Sequence, residues 1–370
     1  MSYMIERAMP ILMIALLFLG IVACEEENME PALEVPETYS FDNVSYDGQI
    51  QRLQMLTEMK SYMSTSRQMG VELSAARLRA MYANEAAGAN WEKTYSDSKE
   101  LMNKTFESEQ ATFFNLFDEL AEASESDQPG SKGVAGVVES NDGNKSYLLG
   151  ADGLDHAQLI EKGLMGACFY YQATAVYLGE QRMNVDNETV VPGEGTEMEH
   201  HWDEAFGYFG VPRDFPQNKD GLAFWGSYSD KRNEVLGSNE KLMDALILGR
   251  AAISANDLDT RDEAIVQVRE QWELISVGSA LHYLNETIAN FDDMAIRAHA
   301  LSEGLAFVYS LQFNPAKRIN NQQVAELLTL MGGGTSFSDM NLYEVEVADL
   351  EEARKKLANY YDLEDEMDLF

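Results

Sequence analysis

The stretch "TRDEAIVQVREQWELISVGSALHYLNETIA", residues 260–289, decides the fold. Thr260 with Glu263 makes a capping-box pattern, and Ile265, Val268, Trp272 and Ile275 then recur at three- and four-residue steps with no proline among them. That periodicity predicts a helix running to about residue 289, long enough to need other helices along its apolar face. "NEKLMDALILGRAAISAN" (239–256) before it reads as helix, as does the segment from Asp293 to Phe313 after it, closed by Asn314-Pro315. Shorter helices are predicted near 321–331 and 347–359.

The same pattern extends upstream. In "YDGQIQRLQMLTEMKSYM" (46–63), Ile50, Leu53, Leu56 and Met59 share a face. Further helices are predicted near 73–85, 97–105, 108–124 and 154–179, the last with Ile160, Leu164, Cys168, Tyr171, Ala175 and Leu178 at helical spacing. Thr196 and Glu199 open another, which Gly210 and Pro212 close. Strand alternation is scarce and no internal repeat is evident. The expected fold is mostly α, a helical bundle over residues 39–360. Residues 124–147, rich in Ser, Gly and Asp, are the expected loop or boundary between two packed sub-bundles, and 361–370 form an acidic tail. The aromatic-rich segment 214–233 is expected to act as a lid or wall.

Composition limits the partners. Sixty-three acidic against 27 basic residues leave a formal charge of −36, which opposes contact with phosphate backbones and excludes nucleic-acid binding. At the N-terminus, Arg7, the apolar run "ILMIALLFLGIVA" and the lipobox-like "IVAC" read as a lipoprotein signal over residues 1–23, with Cys24 as the lipidated residue. The acidic segment 24–38 then reads as a tether. The expected location is the outer membrane, facing the cell surface, with the lipid on Cys24 as the membrane contact. Lipidation of Cys24 leaves Cys168 without a disulfide partner, and its apolar helix marks it as a buried small hydrophobe.

Three of the five histidines precede a glutamate by four residues: His200–Glu204, His282–Glu286 and His299–Glu303. On a helix each pair shares a face and offers an imidazole and a carboxylate to one site. His282 and Glu286 continue the steps of the long helix's apolar stripe, where the core is expected. The candidate metal ligands are therefore His200, His201, Glu204, His282, Glu286, His299 and Glu303, with iron or another divalent metal as the ion. The competing reading is a set of hydrogen-bonded structural pairs. The chain has no His-Glu-x-x-His, Cys-x-x-Cys, Gly-x-Ser-x-Gly or P-loop motif.

Four blocks, "YSFDNVSYDGQIQRLQML" (39–56), "GLDHAQLIEKGLMGACFYYQ" (153–172), "HHWDEAFGYFGVP" (200–212) and "RAHALSEGLAFVYSLQFNP" (297–315), together resemble the bacterial lipoproteins of domain-of-unknown-function family 4856. That family is similar in turn to imelysin-like proteins, two-bundle helical envelope proteins linked to iron uptake, described as peptidases and marked by Gly-x-His-x-x-Glu. In that frame Gly153 matches, but Asp155 stands at the histidine and Gln158 at the glutamate. The resemblance thus implies an envelope protein that binds a metal or a metal-bearing ligand for an uptake system, with inheritance of peptidase activity weakened. A metal-dependent hydrolase and a protein-binding scaffold without metal are the alternatives.

Overall fold

The computed structural model describes residues 33–370. The signal sequence, Cys24 and most of the acidic tether lie outside the described residues. Residues Glu34–Phe370 form one compact unit. Its helices are α1 (Asp47–Ser64), α2 (Ala75–Tyr82), α3 (Ala86–Ala89), α4 (Gln110–Ser124), α5 (His156–Leu164), α6 (Glu180–Met183), α7 (Glu197–Gly207), α8 (Trp225–Leu236), α9 (Ser238–Ser254), α10 (Leu258–Ala289), α11 (Met294–Ser310), α12 (Asn321–Gly332) and α13 (Val347–Tyr360). The fold is mostly α, as the periodicity predicts. Among the described helices none is long and apolar enough to cross a membrane.

The long helix is the spine: α8, α9, α11 and α13 all pack on α10. It starts earlier than expected, because the Asp257 carboxylate accepts from Thr260 N at 3.1 Å and so caps the helix itself. Ile265, Val268, Trp272, Ile275 and Ser279 are buried, but the stripe leaves the core at His282 and Glu286, whose side chains are 36 % and 31 % exposed. A repeat of three and four steps drifts around a straight helix by about 20° per heptad, so over this length burial passes to Leu281, Leu284 and Thr287.

Two segments depart from the predicted pattern. Residues 97–105 form only a 3₁₀ turn at Met102–Lys104, because the nearby backbone carbonyls are taken from outside: Arg52 donates to Glu100 O at 2.7 Å and Asn84 to Lys99 O at 2.8 Å. Within 124–147 a strand rises from the expected loop. Here β1 (Gly136–Glu139) pairs antiparallel with β2 (Ser146–Leu149), Gly136 opposite Leu149 and Glu139 opposite Ser146. Gly143 supplies a φ of +71° in the connection, and Asp142 accepts from Ser140 Oγ at 2.6 Å and Asn144 N at 3.0 Å. An Asp-Gly between two short β-branched or aromatic runs is a hairpin signal in its own right.

The helix predicted over 154–179 is present but widens. After α5 it continues as π turns at Met165–Tyr170 and Gln172–Tyr177. External donors meet its carbonyls: Trp225 Nε1 on Met165 O at 2.8 Å, Phe106 N on Ala167 O at 2.8 Å, and Arg269 on Thr174 O and Leu178 O at 2.9 and 2.8 Å. The wider turn shifts the phase, so Tyr171 and Ala175 come out half-buried while Tyr170, Ala173 and Thr174 are buried. Gly166 lets α11 close on this segment, since a Cβ there would lie 2.1 Å from Ser310 Oγ.

Candidate functional site

Helical spacing aligns three sets of side chains on one cleft. Thr57, Lys60, Ser61 and Ser64 come from α1, Gln158, Glu161 and Lys162 from α5, and Ser227, Tyr228 and Lys231 from α8. Arg67, one turn beyond α1, completes it, and Leu222–Phe224 of the expected lid segment form a wall. The cavity between them measures about 540 Å³.

Its floor is a chain of charges. Lys162, buried, lies 2.6 Å from Glu161 Oε1 and 3.6 Å from Glu303 Oε1, and Lys60 Nζ reaches the same Glu161 oxygen at 2.9 Å. Burial alone pushes Lys162 toward its neutral form, but Glu161 and then Glu303 outweigh it and hold the ammonium charged. Burial likewise pushes both carboxylates up, and Lys162 is the main group that keeps each below the usual range. Arg67 and Lys231 have no carboxylate within ion-pair distance among the described residues; their guanidinium and ammonium lie 5.0 Å from the centroid of the Tyr147 ring and 4.8 Å from that of Tyr228. Burial, followed by the repulsion of Lys162, lowers the Lys231 pKa.

The seven predicted metal ligands fall into separate networks, and none lines this cavity. Glu303 lies behind it: its carboxylate faces Lys162, accepts from Tyr228 OH at 3.3 Å, and stands 3.6 Å from His299 Nε2. His299 in turn holds Asp155 Oδ2 at 2.8 Å and stacks on Tyr147 at 3.9 Å. His282 and Glu286 are 3.9 Å apart on the neighbouring helix, and burial followed by Arg232 lowers the His282 pKa. On α7, His201 and Glu204 lie within 3.3 Å of each other and bond to Arg182 and Gln49, with His200 3.9 Å from Glu204. Among the described residues no three His, Cys, Asp or Glu side chains gather as a metal-holding group. Of the motif positions, Gly153 takes a φ of +86° before the helix, Asp155 caps α5 by accepting from Gln158 N at 3.3 Å, and Gln158 lines the cleft.

Compared with family models, residues 36–364 match a domain of unknown function, DUF4856. The chain belongs to that family. No curated protein and no solved structure matches it. The cleft and all three histidine networks of this DUF4856 chain lie inside the matched span. Sequence reasoning passed over Lys60, Lys162 and Lys231, although Glu161-Lys162 is a charged pair leading straight into the apolar run 163–171, which is the signal that marks the floor.

The α7 network of the DUF4856 domain is expected to respond to acid. Burial raises the Glu204 pKa, but hydrogen bonds from His201 and Gln49 and the neighbouring His200 outweigh it and bring it to about 2. Because the folded value is depressed, its stabilisation is present above the unfolded value and fades as pH falls from about 4.5 toward 2. Glu204→Gln is expected to remove about 2–3 kcal/mol at pH 7 and much less at pH 2.5. Urea unfolding at both pH values checks this; an equal loss at each would refute the assignment. Cys168 is buried as expected, and burial pushes its thiol up to about 12, away from nucleophilic use.

Proposed function

We propose that the chain is a ligand-binding protein of the bacterial envelope and that it holds a small anionic molecule in the cleft between α1, α5 and α8. One observation carries this reading: in a chain with 63 acidic and only 27 basic residues, Lys60, Arg67, Lys162 and Lys231 line one cavity, two of them without a carboxylate partner among the described residues. Gathering like charges opposes folding, and a bound anion offsets that repulsion. The lipoprotein signal and Cys24 support an outer-membrane location facing the cell surface, and with it a partner among envelope uptake proteins.

The imelysin-like resemblance implies a metal, but the residues at the motif do not fit a resident ion. Asp155 is committed to the cap of α5 and to His299, and Gln158 brings no charge. A metal is proposed to arrive inside its ligand, as an anionic chelate, and binding rather than catalysis is the role.

The test is calorimetry on the purified full chain with citrate, ferric citrate, inorganic phosphate and galacturonate, beside bare iron, zinc and calcium ions. At least one anion is expected to bind, and Arg67→Glu/Lys231→Glu to weaken it about 100-fold. Binding of the bare ions alone, unchanged in that variant, would return the site to the histidine–glutamate pairs.

A further inference from the structure

The cleft holds acceptors as well as cations. Among the described residues Gln158 Oε1 and Glu161 Oε2 have no hydrogen-bond partner, although their side chains line the cavity and are only 4 % and 1 % exposed. They lie one turn apart on α5, so both belong to one face. Opposite them on α1, Thr57, Ser61 and Ser64 donate their hydroxyl protons to helix carbonyls at 2.9, 2.9 and 2.7 Å. Those hydroxyls therefore offer lone pairs to the cavity. A simple anion neutralises the cations and leaves all these acceptors unfilled.

We infer that the ligand is an anionic polyol, a carboxylated or phosphorylated sugar-like molecule whose charge meets Arg67 and Lys231 and whose hydroxyls donate to Gln158, Glu161 and the α1 hydroxyls. This inference rests on the anion-binding reading of the cleft. A neutral hydroxyl is selected over an ammonium because Glu161 already holds the ammonium groups of Lys60 and Lys162 within 2.9 and 2.6 Å. A third cation on that carboxylate would face both of them.

The experiment compares galacturonate with cyclohexanecarboxylate, which keeps the ring and the charge but lacks the hydroxyls, by calorimetry on the full chain. Galacturonate is expected to bind about 10- to 100-fold more tightly. Gln158→Leu and, independently, Ser61→Ala/Ser64→Ala are each expected to shrink that ratio. Glucose 6-phosphate run in parallel reports whether the preferred charge is phosphate or carboxylate, and preference for it over inorganic phosphate supports the inference equally. Equal affinity for the two ring acids, both lost in Arg67→Glu/Lys231→Glu, would overturn the polyol and keep the anion site. Binding of none of these anions would overturn both.

Discussion

Replacing Arg250 with methionine is expected to destabilise the protein by about 3–5 kcal/mol at pH 8, and by about half as much at pH 5. The guanidinium is buried, with Nε 3.0 Å from Asp203 Oδ1, one Nη 2.5 Å from both Glu199 Oε1 and Ser254 Oγ, and the other 3.4 Å from Asp42 O. It fastens the segment around Tyr39–Asp42 to α7 and α9, because Tyr39 OH also bonds Asp203 at 2.6 Å. Asp203 is fully buried, and burial outweighs Arg250 and Tyr39 to raise its pKa to about 6. Without the arginine its charged form keeps only the Tyr39 hydroxyl and the Ser45 backbone amide, so the folded pKa rises further. A group whose folded pKa is raised binds a proton that the unfolded chain releases, so stability falls as pH climbs through that window. The loss is therefore largest at alkaline pH, and Arg250→Met/Asp203→Asn should recover much of it. Chemical denaturation of the three proteins at pH 5 and pH 8 decides the matter: a pH-independent deficit would mean that the lost contact is steric.

A comparable loss, about 3–5 kcal/mol, is expected for Lys162→Met, which strips the shared cation from two buried carboxylates. Lys60 still reaches Glu161 and His299 still faces Glu303, but both carboxylates move up in pKa once the nearest ammonium is gone. Adding Glu303→Gln to Lys162→Met should cost little more or restore stability, whereas Glu303→Gln alone leaves Lys162 with Glu161 and costs less. The double-mutant cycle read by guanidinium denaturation is the measurement. Additive losses from the two substitutions would separate Glu303 from the floor of the cleft and break the link between the histidine network and the cavity.

The helices were legible because their signals are local. Thr196 with Glu199 and Asp293 before α11 mark true helix starts, and both bind the backbone amide three residues on. The hairpin was missed although Asp142-Gly143 announced it, because the polar composition around the turn outweighed two short strands. The three histidine–glutamate pairs were visible in sequence, but their meeting depends on how α7, α10 and α11 are placed, and no i, i+4 spacing contains that. His282 shows the point on a single helix: its step count assigned it to the core, and the drift of a long helix carried it out. The cleft cations escaped notice for the opposite reason. Lys60, Lys162 and Lys231 come from three helices separated by about a hundred and seventy residues of chain, and each alone reads as an ordinary lysine.

The π turns after α5 also tie the floor of the cleft to distant parts of the chain. An α-helix satisfies its carbonyls within itself and can form before its neighbours arrive. This one depends on Trp225, 60 residues later, and on Arg269, 95 and 91 residues beyond the carbonyls it meets. The native shape of the widened segment is therefore completed by α8 and α10, through donors 60 to 95 residues away in the chain. It is a keystone: α5, which floors the cleft, runs directly into a segment held from α8 and α10.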